Sequence, residues 1–185
     1  MTTIERENDL SVENYLAAEK LSDMRHEYLG GLVCKMEDVT RRHNEIALNT
    51  YCALREKLKR ETCSLFVSQV LVNFEFMGEQ SFYYPDLVVT CDKRDDHPRF
   101  IRFPKLIIEI LSPSTERVDK REKFFAYTTM ESLEEYVLVA QDTREVIVAS
   151  RANEWRKETV SGLDAAVTLA SLGCSLPLSA IYEGV

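Results

Sequence analysis

The chain has 185 residues, 45% hydrophobic and 29% charged, with a formal net charge of −8. These values exclude disordered, collagen-like and coiled-coil chains and suit one domain with a real core, so residues 1–185 are read as a single domain. No apolar run approaches the roughly 20 residues of a membrane span, and the acidic balance excludes a nucleic-acid binder that relies on an entirely basic surface; positive charge for such a partner must be local or come from a metal ion.

Residues 1–10 are polar and acidic, unlike a signal peptide, and the expected compartment is the cytoplasm. Residues 11–21 predict a short amphipathic helix, with Ser11 as N-cap and Tyr15, Leu16 and Ala18 as its apolar contacts. Two apolar runs then flank Gly30-Gly31, the signal of a two-residue hairpin turn. A longer helix is predicted over 41–58, capped by Thr40. Ala47, Tyr51, Leu54 and Leu58 share one of its faces. Its other face carries Arg41, Arg42, Arg55, Lys57, Lys59 and Arg60 and reads as solvated, with a nucleic-acid contact as the alternative.

Strands are predicted over 65–76, 83–91 and 106–111, with a charged loop at 92–104. Ser112-Pro113-Ser114-Thr115 lead into a helix over 118–130, followed by strands at 136–140 and 145–149 and a further strand around Trp155. The five cysteines are odd in number, widely spaced and without zinc-ligand spacing, and are expected to be small buried hydrophobes rather than a disulfide framework. The element order implies an α/β (α+β) protein with a mixed sheet and helices packed on it.

Glu109 is the most informative residue. It interrupts Leu106-Ile107-Ile108-Glu109-Ile110-Leu111, a run suited to a strand buried on both faces. A buried carboxylate is costly unless it is paired or binds a metal. Asp86 follows Pro85 and precedes Leu87-Val88-Val89, which places a second carboxylate at the mouth of a neighbouring strand. Two converging carboxylates suit a hard, oxygen-loving cation such as magnesium or manganese. Lys123 lies one helical turn after Asp119 and one before Tyr127. Taken alone, Asp119 and Lys123 are an ordinary i,i+4 surface pair.

The segments Tyr84-Pro85-Asp86-Leu87-Val88-Val89 and Ile107-Ile108-Glu109-Ile110-Leu111-Ser112-Pro113-Ser114-Thr115, with Asp119, Lys123 and Tyr127, and then Glu135-Tyr136-Val137-Leu138-Val139, resemble the Uma-two family of the PD-(D/E)XK nuclease superfamily. Arg25-His26-Glu27-Tyr28-Leu29-Gly30-Gly31 and Arg42-His43-Asn44-Glu45-Ile46 also match, so the resemblance covers almost the whole chain. It implies a restriction-endonuclease-like core with an added N-terminal helix and β-hairpin, and a metal-dependent endonuclease that hydrolyses DNA. Asp86, Glu109 and Lys123 would be its catalytic residues, with Asp86 and Glu109 holding one or two Mg²⁺ or Mn²⁺ ions. The superfamily's usual lysine position, two after the second carboxylate, is Leu111 here. The resemblance moves the role to Lys123, with Lys120 as fallback. His43, Glu27 and Tyr127 are possible supporting residues.

The alternative is a non-catalytic nucleic-acid or protein binding module that keeps the nuclease fold. A homodimer is expected because cutting two strands favours a two-fold arrangement; no membrane partner is expected. Lys123→Ala is expected to remove activity and leave the fold intact.

Overall fold

The computed structural model describes residues 4–5, 10–59, 62–112 and 118–185. Strand β1 (Ile4–Glu5) precedes helix α1 (Val12–Leu21), whose cap, Ser11, accepts a hydrogen bond from the Asn14 N–H. Tyr15 is buried as expected, but Ala18 is exposed, and the second buried residue of α1 is Glu19. Strands β2 (His26–Leu29) and β3 (Leu32–Lys35) form the expected hairpin. Gly30 and Gly31 take φ of 51° and 94°, which the tight turn requires and side chains resist.

Helix α2 (Arg41–Lys57) is capped by Thr40 and buries Ile46, Ala47 and Leu54. The strand expected over 65–76 is two strands, β4 (Ser64–Val67) and β5 (Leu71–Phe76), in different sheets. Between them Ser68 takes φ 54°, a left-handed conformation uncommon outside glycine, so composition gives little warning of the break. The strand expected over 83–91 also divides. Strand β6 (Glu79–Tyr83) belongs to one sheet and β7 (Leu87–Thr90) to the other, with Tyr84-Pro85-Asp86 crossing between them.

After β8 (Phe100–Ile101) comes β9 (Pro104–Leu111), the buried strand read from the sequence. The helix expected over 118–130 is a π-helical segment, Val118–Lys123, followed by a short α3 (Phe124–Thr128). Residues 113–117, which hold most of the Ser112–Thr115 motif, lie outside the described residues. Strands β10 (Glu135–Ala140), β11 (Glu145–Ser150) and β12 (Lys157–Ser161) follow. Trp155 is not in a strand; it takes φ 60° in the turn before β12. Strands β13 (Ala166–Leu169) and β14 (Cys174–Pro177) form a separate pair, and α4 (Leu178–Ile181) ends the fold.

The strand order is β1-β3-β2-β6-β5-β8 in the first sheet and β12-β11-β10-β9-β7-β4 in the second. Both are mixed, since β5–β8 and β9–β10 are parallel while the other pairings are antiparallel. Three apolar layers join them. Leu106, Ile108 and Ile110 face α2 and α4, Ile107 and Leu111 face the first sheet, and Tyr15 of α1 packs on that sheet's far side. A strand that is apolar on both faces therefore lies at the centre, as periodicity implied.

The cysteine expectation fails. Cys63 and Cys91 form a disulfide, and the free thiols of Cys34, Cys52 and Cys174 are half-buried or exposed. The antiparallel register Ser64↔Thr90 brings the two bonded residues together across 28 positions, which spacing alone does not reveal. Among the described residues no helix is long and apolar enough to cross a membrane.

Candidate active site

The register Leu87↔Ile108 and Val88↔Ile107 carries β7 alongside β9 until Asp86, where the ladder opens. Side chains then take over from backbone partners. The Asp86 N–H donates to Glu109 Oε2 at 3.2 Å, and the Ile110 N–H donates to Asp86 Oδ2 at 2.7 Å. Alternation along β9 puts Glu109 on the face of Ile107 and Leu111, toward the first sheet. The two carboxylates are therefore linked at one opening and not on opposite sides of the sheet. Glu109 is buried, and the Asp86 side chain is 16% exposed.

Lys123 enters from the π-helical segment. Its ammonium lies 2.9 Å from Glu27 Oε1, 3.2 Å from Glu109 Oε1 and 3.7 Å from Asp119 Oδ1, above the Tyr83 ring. The Asp119–Lys123 pair is thus buried rather than on the surface. Glu27 reaches in from β2 and also accepts from the Tyr84 N–H at 3.1 Å, tying the crossing strand to the hairpin. His43, in the first turn of α2, places Nε2 3.3 Å from Asp86 Oδ2.

Sequence reasoning thus named residues that the fold gathers at one place: Asp86, Glu109, Lys123, Glu27 and His43. Lys120, the fallback, is half-buried, and its carbonyl accepts from Lys157; the ammonium that meets Glu109 is that of Lys123. Tyr127 is buried against Tyr83, Tyr136 and Phe74, and its hydroxyl has no hydrogen-bond partner among the described residues. Tyr136 was missed; its hydroxyl donates to the Asp119 carbonyl at 3.0 Å and fixes the π-helical segment to β10. A tyrosine heading the aliphatic run Val137-Leu138-Val139-Ala140 was the available signal.

Charge is crowded here. Burial pushes the Glu109 carboxyl well above its usual range; Lys123 opposes this, while Asp119, Asp86 and Glu27 reinforce it. Burial disfavours the Lys123 ammonium, but Glu109, Glu27 and Asp119 outweigh it and hold the lysine protonated. Burial likewise disfavours a charged His43, and the hydrogen bond to Asp86 with its negative charge more than offsets that, raising the imidazole. Several carboxylates around one ammonium leave an excess of buried negative charge. Yet among the described residues no three His, Cys, Asp or Glu side chains make a ready metal-ligand group.

The architecture is a mixed α+β fold built on two six-stranded sheets. A crystal structure from Anabaena variabilis ATCC 29413, described as a putative nuclease belonging to DUF820, shares it with a TM-score of 0.73 at 19% identity, over 88% of this chain and 92% of that one. The family model described as "Putative restriction endonuclease", Uma2, matches residues 12–179, and the chain belongs to that family. Two relatives come from Synechocystis sp. (strain ATCC 27184 / PCC 6803 / Kazusa). Uncharacterized protein slr1290 is 30% identical over 95% of this chain and 93% of its own length. Uncharacterized protein sll1609 is 27% identical over 71% and 75%.

Proposed function

We propose that this protein is a metal-dependent endonuclease that hydrolyses phosphodiester bonds in DNA. One observation carries the reading: Asp86 and Glu109 are linked where β7 and β9 part, with the Lys123 ammonium against Glu109. The donors fit a hard cation. Asp86 and Glu109 offer only oxygen, and the pair opens toward solvent at Asp86 while closed behind Glu109. These two residues would hold Mg²⁺ or Mn²⁺, as one ion or two. Such an ion, when bound, lowers the pKa of a water molecule and neutralises charge on the phosphate. Lys123 supplies positive charge for the oxygen that becomes more negative during hydrolysis. Glu27 and Asp119 hold that ammonium in place, and His43 orients Asp86. Cutting both strands favours a homodimer, and the expected setting is cytoplasmic DNA.

A second reading, a binding module that keeps the fold without catalysis, draws on a single fact: both Glu109 oxygens are already engaged, by the Asp86 N–H and by Lys123. Nicking of supercoiled plasmid in millimolar Mn²⁺ separates the two. The nuclease reading expects cleavage by the parent and a loss of at least about a hundredfold in Asp86→Asn. A parent that leaves the plasmid intact, or a variant that cuts as fast, rejects it.

A further inference from the structure

Glu109 offers its two oxygens in two directions. Oε2 accepts the Asp86 N–H at 3.2 Å, on the side that opens to solvent. Oε1 accepts from the Lys123 ammonium at 3.2 Å, on the closed side. That ammonium is also 2.9 Å from Glu27 Oε1 and 3.7 Å from Asp119 Oδ1, so carboxylates from β2, β9 and the π-helical segment converge on it. The lysine side chain is 9% exposed, and the Tyr83 ring closes one side, with its centre 5.4 Å from the nitrogen. Oxygens from three elements and the face of a ring are what a protein uses to hold a small cation. The wall carries a spare polar group as well. The Tyr127 hydroxyl is fully buried and has no hydrogen-bond partner among the described residues. Burial raises its phenol first, and Glu109 and Glu27 add to that, which sets it among the same carboxylates.

Where two divalent ions act on one phosphate they lie about 3.5–4 Å apart, and a carboxylate with one oxygen on each can bridge them. Glu109 has the arrangement of such a bridge, with an ammonium on its inner oxygen. We propose that the Lys123 ammonium fills the second cation position of this site, so that the protein takes one divalent ion, at Asp86 and Glu109, and not two. A second ion on Glu109 Oε1 would meet the ammonium at contact distance, and like charges that close in a buried setting repel strongly. Removing the ammonium should open the position to an ion held by Glu27 and Glu109. The ion at Asp86 and Glu109 rests on the nuclease reading; the position held by Lys123 does not.

The test counts Mn²⁺ ions per chain by calorimetric titration, with electron paramagnetic resonance to show whether two ions are close enough to couple. Because the chain carries a net charge of −8, an ion counts only if a substitution at the site removes it. The parent should bind one, lost in Asp86→Asn, with no coupled signal. Lys123→Ala should bind two, coupled, and adding Glu27→Gln to it should return the count to one. Melting curves supply a second readout. Mn²⁺ should restore to Lys123→Ala most of the melting temperature that it loses in chelator, and should fold the variant if chelator leaves it unfolded. Two coupled ions in the parent overturn the proposal and keep the nuclease reading. A Lys123→Ala chain that gains neither an ion nor Mn²⁺-dependent stability over the parent also overturns it. A parent that binds no ion at Asp86, with a Lys123→Ala variant that gains one through Glu27, keeps the cation position and rejects the nuclease reading.

Discussion

Glu109 and Glu135 lie on neighbouring parallel strands, and both are almost fully buried, at 3% and 2% exposure. Glu135 is surrounded by neutral donors. It accepts from the Ala170 N–H at 2.8 Å, the Ser171 N–H at 3.1 Å and the Ser171 hydroxyl. Glu109 instead shares a buried ammonium with two other carboxylates and lies against a fourth, Asp86. One end of the sheet uses its buried carboxylate to pin the chain at residues 170–171. The other holds charge in excess of what its partners neutralise. A buried acid with complete neutral partners reads as architecture, and one in a crowd of like charges reads as a site.

The largest effect should come from removing the cation. Lys123→Met leaves Glu27, Glu109 and Asp119 facing one another without it, and should destabilise the fold by about 3–5 kcal/mol in urea unfolding. Its buried position changes the expectation that substituting Lys123 spares the fold. A cost below about 1 kcal/mol would show that the carboxylates do not depend on it.

Glu135→Ala comes next. It orphans three donors and should cost about 2–3 kcal/mol by the same measurement, with no effect on cleavage rate in the folded protein. A fall in cleavage would blur the division between the two ends.

Glu109→Gln should change stability by no more than about 1 kcal/mol near neutral pH, because Lys123 keeps Glu27 and Asp119. Its signature is in pH. The raised Glu109 carboxyl binds its proton more tightly in the folded state, so its contribution is fully present below the unfolded value of about 4.3 and is lost as pH rises through the folded one. His43, also raised, acts with the same sign above about 6.5. In chelator, the parent should therefore lose stability from pH 5 upward, and Glu109→Gln should lose less. Identical pH slopes would show that Glu109 does not carry the excess charge.

Much of this was legible in the chain, for identifiable reasons. Glu109 stood out because charge inside a strand apolar on both faces is rare. Asp86 stood out because Pro85 ends a ladder. The gathering of Glu27 and His43 around them followed from family resemblance and not from spacing, since 27, 43, 86, 109 and 123 meet only through two sheets and a helix. Other features had no local signature. The break at Ser68, the turn at Trp155 and the bond between Cys63 and Cys91 depend on tertiary pairing. So does the role of Glu135, whose partners lie 35 residues away. Buried Glu19 is similar, satisfied by the His26 N–H at 2.9 Å and the Tyr84 hydroxyl at 3.2 Å.

The central claim is that Asp86 and Glu109 together make the cation site, and thermal melting in Mn²⁺ and in chelator tests it most directly. A cation that binds the folded state raises the melting temperature by mass action. The account predicts a clear Mn²⁺ gain in the parent, which both Asp86→Asn and Glu109→Gln lose. An equal gain in all three proteins would contradict it, because the ion would then be binding elsewhere on an acidic surface.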